Sequence, residues 1–307
     1  MDQRIGYATS NDGTRIAYAV SGTGPLLVRP ATFVTHLEAD IDGPTWGHWW
    51  RELSRDHTLI RYDLRGTGLS QRTTPALSLD AFVDDLEAVV ACVGVTSFDV
   101  LGHSLGASVA LMYAAQHPSH VDRLVIFNGF ISGPLDSHLG TKDSGTAQAR
   151  RALMLQAWDQ PWARRLWASW LIPDSTSAEL DAAATLLHKC ATATQAAGVS
   201  NGGAKVGLYH TGMGDWEPQA LVLHSRANEM VPMAAGKAIA ESIPGARFVE
   251  LESIIIFSRS QSLRGACSSR RSEISCRGRI RGSGDHGLIS LEPQTTACLP
   301  VRHKSLS

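Results

Sequence analysis

The sequence predicts an α/β protein: a mainly parallel, doubly wound sheet with helices on both faces. Three observations carry that expectation. Short apolar runs alternate with helical periodicities through the first 130 residues. A Gly-x-Ser-x-Gly segment joins one such run to a helical pattern, and a strand-and-helix unit returns at residues 219–253 after a purely helical excursion. Alternation of this kind builds parallel strands connected by crossover helices.

Residues 4–9 and 15–20 flank Asn11-Asp12-Gly13, a hairpin signal. GPLLVRPATF then reads as a short buried strand ending in a polar loop, and HTLIRYDLRGTGLS (57–70) as a strand running into a glycine-rich turn. In LSLDAFVDDLEAVVACVGV (77–95), Phe82, Leu86, Val89, Val90 and Val93 recur at helical spacing. SFDVLGHS is a strand, GASVALMYAAQHP a helix that stops before Pro118, and VDRLVIFNGF (121–130) another strand. After about residue 131 the pattern turns helical, with Trp158, Trp162, Leu166 and Trp170 at i, i+4 spacing. Helices placed between two stretches of sheet read as a cap over its carboxyl edge. The tryptophan stripe has two readings, packing within the cap and lining an acyl pocket.

The expected organisation is a core first part at 1–130, a helical cap at 131–218, a core second part at 219–253 and an atypical tail at 254–307. The tail is rich in Arg, Ser, Gly and Cys, lacks periodicity and is a poor core builder. Its preferred reading is a reading frame shifted near residue 254, or a segment otherwise replaced; a basic tail that binds a polyanion is the alternative. Resequencing the coding DNA checks the first, which fails if no other frame continues the preceding pattern.

Bulk numbers narrow the function classes. The chain has 307 residues and a net charge of −1, so nothing favours steering toward nucleic acid or an acidic membrane. No stretch approaches a membrane span, the N-terminus lacks an apolar leader, and five cysteines without C-x-x-C spacing argue against a zinc site or disulfide scaffold. A cytoplasmic location is the default expectation, with a small-molecule partner and an oligomeric state left open.

Gly102-His103-Ser104-Leu105-Gly106 supplies the chemistry. On a tight strand-to-helix turn the serine hydroxyl is lifted above the sheet, and flanking glycines allow close backbone approach. The following helix N-terminus offers N–H groups and a positive dipole end where negative charge would develop. Ser104 is therefore the candidate nucleophile.

Residues 1 to about 253 resemble the α/β-hydrolase fold family, and most of all its cap-bearing bacterial serine hydrolases and esterases. The resemblance rests on RIGYATSNDGTRIAYAVSGTGPLLV, LIRYDLRGTGLS, VLGHSLGASVALMYAAQHPSHVDRLVIFNG and LVLHSRANEMVP followed by IPGARFVELES. It implies hydrolysis of esters or related acyl compounds, with no metal and no organic cofactor.

An oxyanion site needs one N–H from the residue after the serine, Leu105, and one from the loop after an earlier strand. Relatives carry His-Gly there, whereas this chain has Arg29-Pro30-Ala31-Thr32. Pro30 has no N–H, which leaves Ala31 or Thr32, with Thr32 favoured. The family's acid follows the strand ALVLH, where Asn228 now stands; Glu229 is the nearest carboxylate and Asp215 a distant third. Asparagine can orient an imidazole but cannot stabilise an imidazolium by charge. The family's histidine position holds Ile255-Ile256, so the candidate base is His286, with His303 behind it. His103, His210 and His224 precede the expected position and read as neighbours or structural groups. Asp63 and Arg65 match an acidic-basic pair that pins a turn in the family.

The expected activity is hydrolysis of carboxylic esters with small or medium acyl groups through an acyl-enzyme. Two alternatives stand: a lactonase or carbon–carbon bond hydrolase of the same fold, and an impaired hydrolase fold that binds a small ligand.

Overall fold

The computed structural model describes residues 2–33, 35–43, 45–131, 149, 152–153, 155–173, 175–204, 219–226, 228 and 230–252, and the backbone of 299–302. The first hairpin is formed by β1 (Gln3–Thr9) and β2 (Arg15–Ser21), paired antiparallel from Gln3↔Ser21 to Thr9↔Arg15. Its turn is closed by Asp12, whose Oδ1 accepts the Thr14 N–H at 2.9 Å, the local side-chain bond that makes aspartate a turn former. Then follow β3 (Leu26–Arg29), α1 (Gly47–Asp56), β4 (Thr58–Tyr62), α2 (Leu79–Val93), β5 (Phe98–His103), α3 (Leu105–Gln116) and β6 (Val121–Phe127).

Helices α4 (Pro161–Leu171), α5 (Ser177–Cys190) and α6 (Ala193–Ala204) come next among the described residues. The chain then re-enters the sheet with β7 (Gln219–Ser225), α7 (Met233–Ser242) and β8 (Arg247–Leu251). Among the described residues, nine strands form one sheet in the order β8-β7-β6-β5-β3-β4-β2-β1-β9, where β9 is Leu299–Arg302. Pairs from β4 through β3, β5, β6 and β7 to β8 are parallel; those of β2 with β4, β1 with β2 and β1 with β9 are antiparallel. The mainly parallel sheet is therefore as the sequence predicts.

Both faces are covered. Val28, Ile60, Val100, Leu124 and Val222 pack against Phe82, Leu86, Val89 and Val90 of α2 and Val109 and Tyr113 of α3. The opposite face holds Leu27, Leu59, Leu101 and Phe127 against Trp49 and Trp50 of α1. α2 starts at Ser78, whose hydroxyl accepts the Ala81 N–H at 3.3 Å, an N-cap worth about 1 kcal/mol.

The inserted helices have their own small core. Trp158, Ala163, Trp167, Ala168, Leu187 and Ala196 are buried together, with Phe33, Trp46 and Met230 of the surrounding protein packed on them. Residue spacing misassigned part of this face. α4 begins only at Pro161, so Trp158 lies ahead of the helix, and the buried side runs through Ala163, Trp167 and Ala168. Trp162 and Leu166 are instead exposed, at 52% and 37%. Proline is favoured in the first turn of a helix, and the buried face of α4 is offset by one residue from the stripe that the spacing picks out. Arg72 latches the insertion to the loop after β4, donating to the carbonyls of Cys190 at 2.8 Å and Lys189 at 3.1 Å.

One described segment of the tail joins the sheet. Leu299–Arg302 adds to β1 as an edge strand, a pairing that a sheet edge offers to any extended segment. Residues 132–148, 205–218 and 253–298, which include the expected cap boundaries and most of the tail, lie outside the described residues.

Candidate active site

Ser104 stands between the end of β5 and the first residue of α3. Its backbone has φ 51° and ψ −124°, a conformation that L-residues other than glycine seldom adopt. Two hydrogen bonds hold it there. The Ser104 N–H donates to the Phe127 carbonyl at 3.2 Å, and the Ser104 carbonyl accepts the Ala107 N–H at 3.0 Å. The residue is half-buried, so the bend leaves its side chain reachable from solvent.

The two glycines of the motif have separate steric duties. A Cβ on Gly102 would lie 2.7 Å from the Ala107 Cα, so its absence lets α3 fold back against β5. A Cβ on Gly106 would lie 2.6 Å from the Pro30 carbonyl oxygen. That second absence brings the N-terminus of α3 against the loop after β3, which carries Ala31 and Thr32. Leu105, Ala31 and Thr32 are all buried. Leu105 opens α3, where the first N–H groups have no carbonyl within the helix to bind. The Ala31 N–H lies near the buried Tyr62 hydroxyl, although that contact falls short of a hydrogen bond.

Asn228 follows β7 and is buried. Its Oδ1 accepts the N–H groups of Met230 at 2.9 Å and Val231 at 3.0 Å, and its own N–H donates to the Ser225 carbonyl at 3.2 Å. The side chain thus caps the turn leading into α7, an Asx arrangement. Its Nδ2 is buried with no hydrogen-bond partner among the described residues. Both lone pairs of the amide oxygen are engaged, so what Asn228 has left to offer an imidazole is a donor.

Glu229, Asp215, His210, His286 and His303 lie outside the described residues. The two remaining histidines considered from the sequence are described. His103 is buried with its ring 5.4 Å from Phe127 and 6.0 Å from Trp46. Burial, and secondarily the Arg29 charge, hold its pKa well below the usual value, so it stays neutral. His224 is buried on β7 with Nε2 3.0 Å from the Val231 carbonyl, and burial lowers its pKa as well.

Asp63 and Arg65 do not pair with each other. Asp63 Oδ2 accepts the N–H groups of Leu37 at 3.1 Å and Leu69 at 2.8 Å, tying two loops together. Burial pushes its pKa up to about 7 against those stabilising N–H groups. Arg65 binds Asp85 through two nitrogens at 2.8 and 2.6 Å and Asp12 at 2.6 Å, and is fully buried. Both serve as loop anchors.

Two residues escaped sequence reasoning. Asn128, at φ 48°, accepts the Ser225 N–H at 2.8 Å and donates to the Ser225 hydroxyl at 3.2 Å, stitching the ends of β6 and β7 beside the elbow. The Asn-Gly pair directly after the strand was the available signal. Arg29, 3% exposed, stacks over Trp50 at 4.8 Å and Trp46 at 5.5 Å. Burial lowers its pKa to about 10, which leaves it charged at neutral pH. Arg61 also lies over the Trp50 ring, at 4.4 Å, and takes Asp40 as its ion-pair partner at 2.9 Å.

Residues 43–253 match the family described as the alpha/beta hydrolase fold. The chain belongs to the α/β-hydrolase fold family. Within that family it is similar to a pyrrolizixenacetamide deacetylase of Xenorhabdus hominickii, at 30% identity over 38% of this chain and 42% of that protein. It is also similar to a putative carbamate hydrolase of Klebsiella pneumoniae, at 25% identity over 72% of this chain and 84% of that protein. The chain spans less than half the length of the first curated relatives it matches. Among solved structures, a hydrolase from Pseudomonas aeruginosa shares the α/β-hydrolase fold with a TM-score of 0.70 at 23% identity, covering 86% of this chain and 96% of that one. An esterase from Rhodococcus does so with a TM-score of 0.62 at 23% identity, covering 80% and 89%. Among the described residues, no helix of this family member is long and apolar enough to cross a membrane.

Proposed function

We propose that this α/β-hydrolase cleaves carboxylic esters with small or medium apolar acyl groups through a covalent acyl-serine. The observation that carries the proposal is the strained backbone of Ser104, held at φ 51° with its side chain at a half-exposed bend. Ser104 Oγ attacks the ester carbonyl, and the N–H groups of Leu105 and Thr32 receive the oxyanion. Thr32 is preferred over Ala31 because the Ala31 N–H lies toward Tyr62. His286 removes the serine proton and returns it to the leaving alcohol, and Glu229 is the acceptor that orients that imidazole, because an amide donor from Asn228 would leave the ring unable to take the proton. The acyl chain is assigned to the apolar residues where the inserted helices meet the core. Phe33 lies there, 5.3 Å from Trp167 and 6.1 Å from Trp158, with Met230 beside the same cluster.

Turnover of p-nitrophenyl butyrate by the wild-type chain and by Ser104→Ala tests this. Loss of about 10⁴-fold or more in kcat is expected. Unchanged turnover in the variant refutes the assignment.

Asn228 favours a second reading, an impaired hydrolase fold that retains a ligand site, since its remaining group is a donor where a carboxylate would serve the imidazole. A fluorophosphonate probe separates the two, because it labels an activated serine and leaves an inert one unmodified.

A further inference from the structure

The far end of α3 gathers three side chains that the hydrolytic proposal does not use. Glu87 sits on α2, His117 caps the C-terminus of α3, and His120 ends the short 3-10 turn Pro118–His120. Their ligand atoms all lie within 4.8 Å of one another, and all three residues are half-buried. We propose that Glu87, His117 and His120 form a binding site for a zinc-like divalent transition-metal ion, which joins α2 to the α3–β6 connection.

The donor set fits that ion class. Two imidazoles and one carboxylate satisfy a borderline-soft divalent cation, and three protein ligands leave one position for water. Calcium and magnesium prefer oxygen-rich shells and are poorly served here.

Tyr113 organises the set from behind. Its hydroxyl donates to Glu87 Oε2 at 2.7 Å and lies 2.9 Å from His120 Nδ1. A phenol has one proton. Given to Glu87, it leaves the oxygen to accept from His120 Nδ1–H, so the His120 Nε2 lone pair is the one free for metal. The arrangement is the outer-shell device that fixes the tautomer of a metal-bound histidine. The His117 ring stacks on Tyr113 at 4.5 Å and on His120 at 5.2 Å, so little side-chain freedom remains to be lost on binding.

The site is separate from the elbow. α3 has 12 residues, and at 1.5 Å per residue its two ends are about 18 Å apart. The metal would therefore act on stability and take no part in acyl transfer. Binding to the folded state alone raises the melting temperature as metal concentration exceeds Kd.

The test uses the full chain, treated with chelator and then titrated with zinc alone by calorimetry and thermal melting. One equivalent should bind at this site and raise Tm, and cobalt in its place should give the visible bands of a low-coordinate site with imidazole ligands. His117→Ala combined with His120→Ala should remove that equivalent and the bands. Glu87→Gln keeps the side-chain shape and should weaken binding at least about tenfold, as should Tyr113→Phe. None of these variants should change ester turnover. Zinc affinity and Tm response equal to wild type in the double-histidine variant and in Glu87→Gln would overturn the proposal, as would no binding by the wild-type chain. Because Glu87→Gln should melt normally without metal, its loss of affinity cannot be ascribed to misfolding.

Discussion

The Pro30 carbonyl oxygen occupies the space that a Cβ on Gly106 would need, 2.6 Å from where that atom would stand. The contact sets how closely the loop after β3 approaches the first turn of α3, and so the gap between the N–H groups of Thr32 and Leu105. Gly106→Ala should push the loop outward by about 1 Å, the shift that restores ordinary van der Waals contact. Misplacement on that scale typically costs about 10²-fold in rate, while overpacking costs roughly 1–3 kcal/mol in stability. The expected result is a folded protein with kcat reduced about 10²-fold, measured alongside Tm. Full activity in the variant would show that this approach does not position an oxyanion site.

Asn228 uses its oxygen on Met230 and Val231, and its buried NH₂ has no partner among the described residues. An amide donor facing an imidazole selects the tautomer that cannot take a proton from serine, the defect seen when a triad aspartate becomes asparagine at a loss of about 10⁴ in kcat. Asn228→Asp retains one oxygen for the turn and replaces the donor by a charged acceptor. kcat for p-nitrophenyl butyrate should rise by about 10²–10⁴ with little change in Tm. No increase would mean that this position does not face the base.

Much of the architecture was legible in the sequence because its causes are local. Apolar runs bounded by turn residues give β3 to β6, and the periodicity of Phe82, Leu86 and Val89 gives α2 and its buried side. The elbow was legible for the same reason, since its strain and its glycines lie within five residues. What stayed hidden depends on contacts between distant segments. Spacing alone cannot show that Asp63 serves the backbone of Leu37, or that Glu87 meets His117 and His120. The stripe of Trp158, Trp162, Leu166 and Trp170 held only in part: Trp158 and Trp170 join the core of the inserted helices, whereas Trp162 and Leu166 face outward beside the buried Ala163 and Trp167.

Asp63 makes stability depend on pH in a defined direction. Burial raises its pKa from an ordinary 3.8 to about 7. The native state therefore holds a proton that the unfolded chain gives up, and this contribution is fully present below about pH 4 and lost as pH rises toward 7. Asp63→Asn keeps an oxygen for the Leu37 and Leu69 N–H groups and removes the titration. Melting curves across that interval should show the decline with rising pH flattened in the variant. An identical pH slope in both proteins would show that Asp63 ionises normally in the fold.

Arg29 keeps its charge up to about pH 10 while it lies against the indoles of Trp46 and Trp50, close enough to bias the residue that precedes Ser104. That potential is installed when the chain folds and stays constant as guests come and go. It favours an oxygen that becomes negative and opposes a guest that arrives as a cation. The elbow should thus sort ligands by electrical sign ahead of shape: kcat/KM for a choline ester should fall below that for its uncharged 3,3-dimethylbutyl counterpart, a gap that Arg29→Met narrows.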